Sequence, residues 1–285
     1  MAHLLERLEM PAWETDAEGL HQVRVSARRL SAVLDLVDAE AYAGHKGHRR
    51  TLKQLVTALG PTRELDVHSA ALQALHHTTN TPLQAASLEH LEDRLDRARA
   101  KARRAMKKDL AELSLRDLPR LLKVANLPHP FQAVSLQDAA WTALEPRLAV
   151  LREIRDLASQ EDAAALHKSR VQIKKLRYTL EAMEGAFSES PVDLLLPLRD
   201  LQTCLGSHHD LAALENWLWD QEAHLRNEDR ATLCGGVLDL LGCIAENRRT
   251  AFERFTVLVR EAPVADLPGA LRRTLGLPPL ADSSA

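Results

Sequence analysis

Two stretches decide how this chain is read: Leu20-His21-Gln22-Val23-Arg24-Val25-Ser26-Ala27-Arg28-Arg29-Leu30 and Leu166-His167-Lys168-Ser169-Arg170-Val171-Gln172-Ile173-Lys174-Lys175-Leu176. Both have the form L-H-x-x-R-V-x-x-[RK]-[RK]-L, and 146 positions separate His21 from His167. On an α-helix, a histidine and cations three and seven residues later fall within about 60° of arc and about 10 Å of rise. Beside the first stripe, Leu20, Val23, Ala27, Leu30, Leu34 and Val37 keep helical spacing. Each stretch therefore reads as an amphipathic helix whose cations border its buried face.

The same offset extends outward in both directions. It pairs Lys53 with Arg199, Leu55 with Leu201, Leu59-Gly60 with Leu205-Gly206, Leu72 with Leu218 and Leu95 with Leu241. A constant offset over about ninety residues reads as a duplicated unit, with a period too long for a solenoid. Two sets of about four helices each give the expected fold class: all-α, two pseudo-two-fold-related four-helix bundles. Residues 1–127 form the first repeat and 128–262 the second, divided at Asn126-Leu127-Pro128-His129-Pro130, with a flexible proline-containing tail at 263–285. Leu59-Gly60-Pro61 is expected to end a helix with Gly60 in a left-handed cap, and Leu205-Gly206 to end its counterpart. A helix at 136–158 precedes the second stripe, and its counterpart is a stub at 2–9, so the first repeat reads as truncated at its start.

Composition bounds the rest. Of 285 residues 45% are hydrophobic, enough for a sizeable core, while 4% aromatic content and 11 glycines favour helices over sheets. The net charge of −3 means that any basic site is local. Cys204, Cys234 and Cys243 form no C-x-x-C pair and read as ordinary thiols of a reducing compartment. The first nine residues lack the apolar run of a signal peptide, and the apolar stretch 233–245 is too short to span a bilayer. The expected location is the cytoplasm, with no membrane partner.

The candidate site residues are the two stripes: His21, Arg24, Arg28 and Arg29, and His167, Arg170, Lys174 and Lys175. Most such charges are only a solvated helix face. Here, neither Arg24 nor Arg170 has an acid at i+4, and the same order of side chains recurs in both halves, which points to anion binding. Arg63 before Glu64, and His209 before Asp210, place a cation at a helix start, where it either joins an anion site or pairs with that acid. Lys53 and Arg199 match across the halves, with Arg49 one turn earlier. Residues 94–108 carry eight Lys and Arg among nearby acids and read mainly as a solvated face; Arg103, Lys108, Arg249 and Arg254 are secondary candidates. The 13 histidines include the adjacent pairs His76-His77 and His208-His209, poor two-ligand sets, so no metal or cofactor is expected. No phosphate loop, nucleophile elbow or dinucleotide fingerprint is present, so no catalytic residue is assigned.

As a set, H-x-x-R-V-x-x-R-R-L, L-G-x-x-R-[DE]-L-D-V, L-H-x-x-R-V-x-x-K-K-L-R-Y and L-G-x-x-H-D-L resemble the CHAD domain, the conserved histidine α-helical domain, over about residues 2–262. The resemblance implies two pseudo-symmetric four-helix bundles and binding of inorganic polyphosphate, with granule association in bacterial members. It carries the binding role onto His21, Arg24, Arg28, Arg29, Lys53 and Arg63, and onto His167, Arg170, Lys174, Lys175, Arg177, Arg199 and His209. Ser31 stands where the second copy has Arg177, and Glu64 replaces a more usual Asp, which weakens the first half of the match. The family is often fused to a CYTH triphosphate-tunnel domain, whose alternating acidic and basic strands do not appear here. The expectation is a polyphosphate-binding protein that is not an enzyme, with granules and polyphosphate-metabolising enzymes as partners. Its histidines should strengthen binding as pH falls. A general polyanion or nucleic-acid binder is the main alternative, disfavoured because only two Tyr and four Phe are available for base stacking. A metal-dependent phosphohydrolase would need Glu64, Asp66 and Asp210 to converge, and a bare helical scaffold would leave the matched cations unexplained.

Overall fold

Apolar residues recurring three and four positions apart, many of them leucine, give a chain built from helices. The computed structural model describes residues 2–9, 13–35, 45–77, 79–113, 135–157, 161–187, 189–261 and 266–278. They form α1 (Ala2–Glu9), α2 (Ala17–Leu34), α3 (His45–Ala58), α4 (Gly60–Leu75), α5 (Pro82–Glu112), α6 (Leu136–Leu157), α7 (Ala163–Ala182), α8 (Val192–Asn227), α9 (Ala231–Glu261) and α10 (Leu267–Thr274), with a 3-10 turn at Glu184–Ala186. No strand occurs among the described residues, and the fold is all-α. The expected boundary at 126–130 lies outside the described residues.

Short polar side chains start the helices by accepting hydrogen bonds from otherwise unpartnered N–H groups, worth about 1 kcal/mol each. Thr81 Oγ1 accepts from Gln84 N (3.1 Å) ahead of Pro82, and Asp162 Oδ1 from Ala164 N (2.9 Å). Ser135 Oγ accepts from Asp138 N at 3.0 Å and Asp16 Oδ2 from Gly19 N at 2.6 Å.

The two L-G pairs behave differently from expectation. Gly60 is the first residue of α4, not a left-handed cap, and Leu59 between α3 and α4 is itself right-handed (φ −78°, ψ −12°). In the second half no break occurs: α8, of 36 residues, continues through Leu205-Gly206. The next residue differs: Pro61 lacks an N–H and stands in the first turn of α4, where none is needed, whereas Ser207 at the matching place lies inside α8.

The chain divides into two compact units that are not the two sequence halves. One comprises Met1–Arg28, Lys46–Val124 and Ser207–Thr250, the other Arg29–His45, Ala125–Gly206 and Ala251–Ala285. The expected division at residues 127/128 does not coincide with these units, because segments from both halves of the sequence share a core in the first. There α4 and α5 supply Leu72, Leu88, Leu91 and Leu95, which pack with Leu214 and Leu218 of α8 and Val237 and Leu241 of α9. In the second unit α6 packs on α7, and their leucines join Leu198 and Leu201 of α8 and Phe255 of α9. The tail is a further correction. Residues 267–274 form α10, whose Leu267, Leu271 and the following Leu275 are buried in that core, while Arg272 lies over the Trp141 ring at 4.6 Å. Residues 279–285 lie outside the described residues.

Two features of the first unit carry measurable consequences. A Cβ on Gly236 would come within 2.1 Å of Ser87 Oγ and 2.7 Å of the Leu83 carbonyl, so α5 and α9 meet where only hydrogen fits. Ser87 Oγ donates to the Leu233 carbonyl at 3.1 Å across the same seam. Gly236→Ala should destabilise the protein by about 1–3 kcal/mol through overpacking. Gly242→Ala, in the same helix with nothing within 4 Å, should be neutral or stabilising; denaturant midpoints of the two variants check this.

His68, on α4, is 2% exposed beside the Trp217 ring, and neither ring nitrogen has a hydrogen-bond partner among the described groups. Burial lowers its pKa from 6.5 to about 4. Between those values the unfolded chain takes up the proton and the folded chain does not, so stability present above pH 6.5 drains away as pH falls to about 4 and then levels off. The loss amounts to about 3 kcal/mol. Unfolding free energies measured from pH 7 to 4 should show this slope, flattened in His68→Leu.

Candidate anion-binding site

In the first unit the stripe on α2 is held by Leu20, Val23 and Ala27, none with exposed surface, which leaves His21, Arg24 and Arg28 half-buried along the edge of that face. Arg24 Nη1 donates to the Val56 carbonyl at 2.5 Å, in the last turn of α3, where carbonyls carry the negative end of the helix dipole. The same guanidinium lies against Gly60, 3.6 Å from where a Cβ would stand. In the second unit Arg170 repeats this against Gly206, at 3.8 Å. In each half, then, the arginine of the stripe rests on the glycine of the L-G pair, at ordinary contact distance.

His21 registers the cations around it. Burial, then the charge of Arg63, and less strongly Arg24 and Arg28, lower its pKa below 6.5 against an opposing pull from Glu18. Arg63 of α4 thus acts on the same imidazole as Arg24 and Arg28 of α2. Four of the six first-half residues singled out in the sequence converge, while Lys53 stands exposed on α3, as does Arg49. The expected pH response is shifted too: His21 takes up its proton below the ordinary histidine range.

In the second unit His167 and Lys175 are exposed on α7, and Arg170 and Lys174 are half-buried. Arg177 differs from its neighbours. Its side chain is 10% exposed, stacks over Tyr178 at 4.5 Å, and donates to Gln202 Oε1 at 2.8 Å and to Glu181. Glu181 also accepts from Arg29 Nε at 3.1 Å and stands 3.6 Å from Arg199 Nη2. Three of the expected binding arginines therefore gather on one carboxylate, with Arg29 counted in this unit, not with the rest of its stripe. His209 is half-buried and belongs to the first unit, apart from the second-half residues with which the sequence grouped it.

The secondary candidates have other roles or none visible. Arg103 approaches Asp66 at 3.3 Å, where Arg99 also binds at 2.8 Å; the Asp66 side chain has no exposed surface. Arg249 pairs with Glu246 at 2.7 Å, and Lys108 and Arg254 are exposed. Burial raises the pKa of the Cys204 thiol, with Arg254 opposing that rise. Among the described residues no group of three His, Cys, Asp or Glu is arranged to hold a metal ion, and no helix is long and apolar enough to cross a membrane.

The sequence reading missed Glu181, Gln202, Asp66 and Arg99 as organisers of arginines. Glu181 stands four residues after Arg177, a spacing that signals a helical ion pair. Nothing local connects it to Arg29, 152 positions away.

Comparison with known proteins agrees with this architecture. The family model described as CHAD domain matches residues 2–219. The crystal structure of the CHAD domain from the plant Ricinus communis is similar with a TM-score of 0.58 and 24% identity, covering 96% of this chain and 89% of that one. PptA from Streptomyces chartreusis is similar with a TM-score of 0.66 and 20% identity, covering 91% of this chain and 95% of that one. No curated protein matches the chain.

The crowding at His21 has a direct readout. Its imidazole protons, followed by NMR against pH, should titrate with a midpoint below 6.5, and Arg63→Gln should move that midpoint upward. An unmoved midpoint would place Arg63 out of range of the stripe.

Proposed function

The chain belongs to the CHAD family, and from that membership we propose that it binds inorganic polyphosphate through the two cationic surfaces just described. What supports the reading is that Arg24 of α2 lies on Gly60, three residues before Arg63 of α4, and that burial together with the charges of Arg63, Arg24 and Arg28 lowers the pKa of His21. Arginine forks and lysine ammonium groups give charge-assisted hydrogen bonds to successive phosphates, and displaced counterions add a salt-sensitive entropy gain. A polymer long enough to engage Arg63 and its neighbours together with Arg170, Lys174 and Lys175 gains affinity with length, because the second engagement is intramolecular. Phosphates arriving at His21 offset the arginine charges that lower its pKa, so bound polymer draws a proton onto the ring. In this reading the protein is a binding module, not an enzyme, works in the cytoplasm, and accompanies polyphosphate granules and the enzymes that build or degrade the polymer.

Long-chain polyphosphate should bind tightly, with affinity falling steeply as salt rises. Arg63→Ala combined with Arg170→Ala should weaken binding by about tenfold or more and reduce the slope of log affinity against log salt by about one per lost phosphate contact. Short oligophosphates and RNA should compete poorly. Equal competition by RNA would make the protein a general polyanion binder, and unchanged binding in the double variant would reduce the stripes to solvated helix faces.

A further inference from the structure

We propose that Glu181 is a built-in competitor for the polymer: its carboxylate occupies the guanidinium donors of Arg29 and Arg199 that a phosphate would otherwise take, and so limits affinity at the second-unit surface. This rests on the polyphosphate reading above.

The geometry is that of an anion already in place. Oε1 faces Arg177 and, at 3.6 Å, Arg199, while Oε2 accepts from Arg29 at 3.1 Å. One carboxylate against three guanidinium groups leaves the cluster with an excess of two positive charges, so it attracts an anion while presenting an acid to it. The three arginines are not equivalent. Arg177 is 10% exposed and fixed independently by Gln202 and the Tyr178 ring, which makes it part of the scaffold. Arg29 and Arg199 are 53% and 49% exposed, within reach of a ligand in solvent, whereas Glu181 beneath them is 15% exposed. A phosphate approaching from outside therefore meets the two exposed arginines first and draws their donors away from the carboxylate, against repulsion from Glu181. A guanidinium has five donors and can share them, so the acid moderates binding without abolishing it.

The sign of the effect separates this role from a structural one. Loss of a merely structural residue weakens binding; loss of a competitor strengthens it. In the full-length protein at about 0.1 M salt, Glu181→Gln should bind long-chain polyphosphate about three- to tenfold more tightly, with the gain shrinking as salt screens the charge. Glu184→Gln, an equal charge change at an exposed acid one turn away, should gain less than about twofold. The Glu181→Gln gain should disappear when Arg29→Ala and Arg199→Ala are also present. Equal or weaker binding by Glu181→Gln, or an equal gain from Glu184→Gln, overturns the proposal and leaves the polyphosphate reading standing. Absence of salt-sensitive binding by the unaltered protein overturns both. Should Glu181→Gln fail to fold, Glu181→Asp, whose oxygens are withdrawn by one methylene, should still gain affinity, and a loss there overturns the proposal.

Discussion

Like charges do not gather unless something stronger holds their carriers in place. Two guanidinium groups about 6 Å apart repel by about 1 kcal/mol in a water-like dielectric and by about 3 kcal/mol near a protein surface. What opposes this in α2 is the fully buried row Leu20, Val23 and Ala27, and in α7 the row Leu166, Ile173 and Leu176. Burying each such leucine or isoleucine contributes about 1.5–3 kcal/mol, so the apolar face fixes the helix rotation and the cations follow. The proton affinity of His21 is lowered first by its burial and then by the charges of Arg63, Arg24 and Arg28, with Glu18 opposing.

Acids are placed in two ways against this crowding. Asp66 is fully buried between Arg99 and Arg103 and ties α4 to α5; its arginines are about one-quarter exposed and belong to the packing. Glu181 has the same chemistry with a different outlook, since two of its arginines are half in water. Access to solvent, and not the number of ion pairs, separates a strut from an adjustable surface.

The all-α class and most helix positions were legible because leucine spacing reports burial directly, and Leu72, Leu95, Leu198 and Leu201 are core residues as the pattern requires. The helix at 267–274 was hidden by the prolines around it, although Leu267, Leu271 and Leu275 carry a helical period. Gly60 and Gly206 misled because glycine marks many helix ends but also permits close approach within a helix; here an arginine side chain lies over each one. The stripes were readable as cations on one face. Which of them meet an acid was not, since Arg29 and Glu181 come together only through the tertiary fold. The grouping of helices into compact units was equally illegible, because similar leucine patterns in both halves can pair within a half or across it.

Arg24 has two attachments at one joint: it donates to the last turn of α3 through the Val56 carbonyl and lies on the first residue of α4 through Gly60. Its guanidinium is therefore both a rivet between consecutive helices and a member of the cationic surface. Energies assigned to it by truncation are not separable, because removing the side chain loosens the joint that orients Arg63 three residues beyond Gly60. A double-mutant cycle across Arg24 and Arg63 therefore reads the joint between α3 and α4 as well as any bound anion.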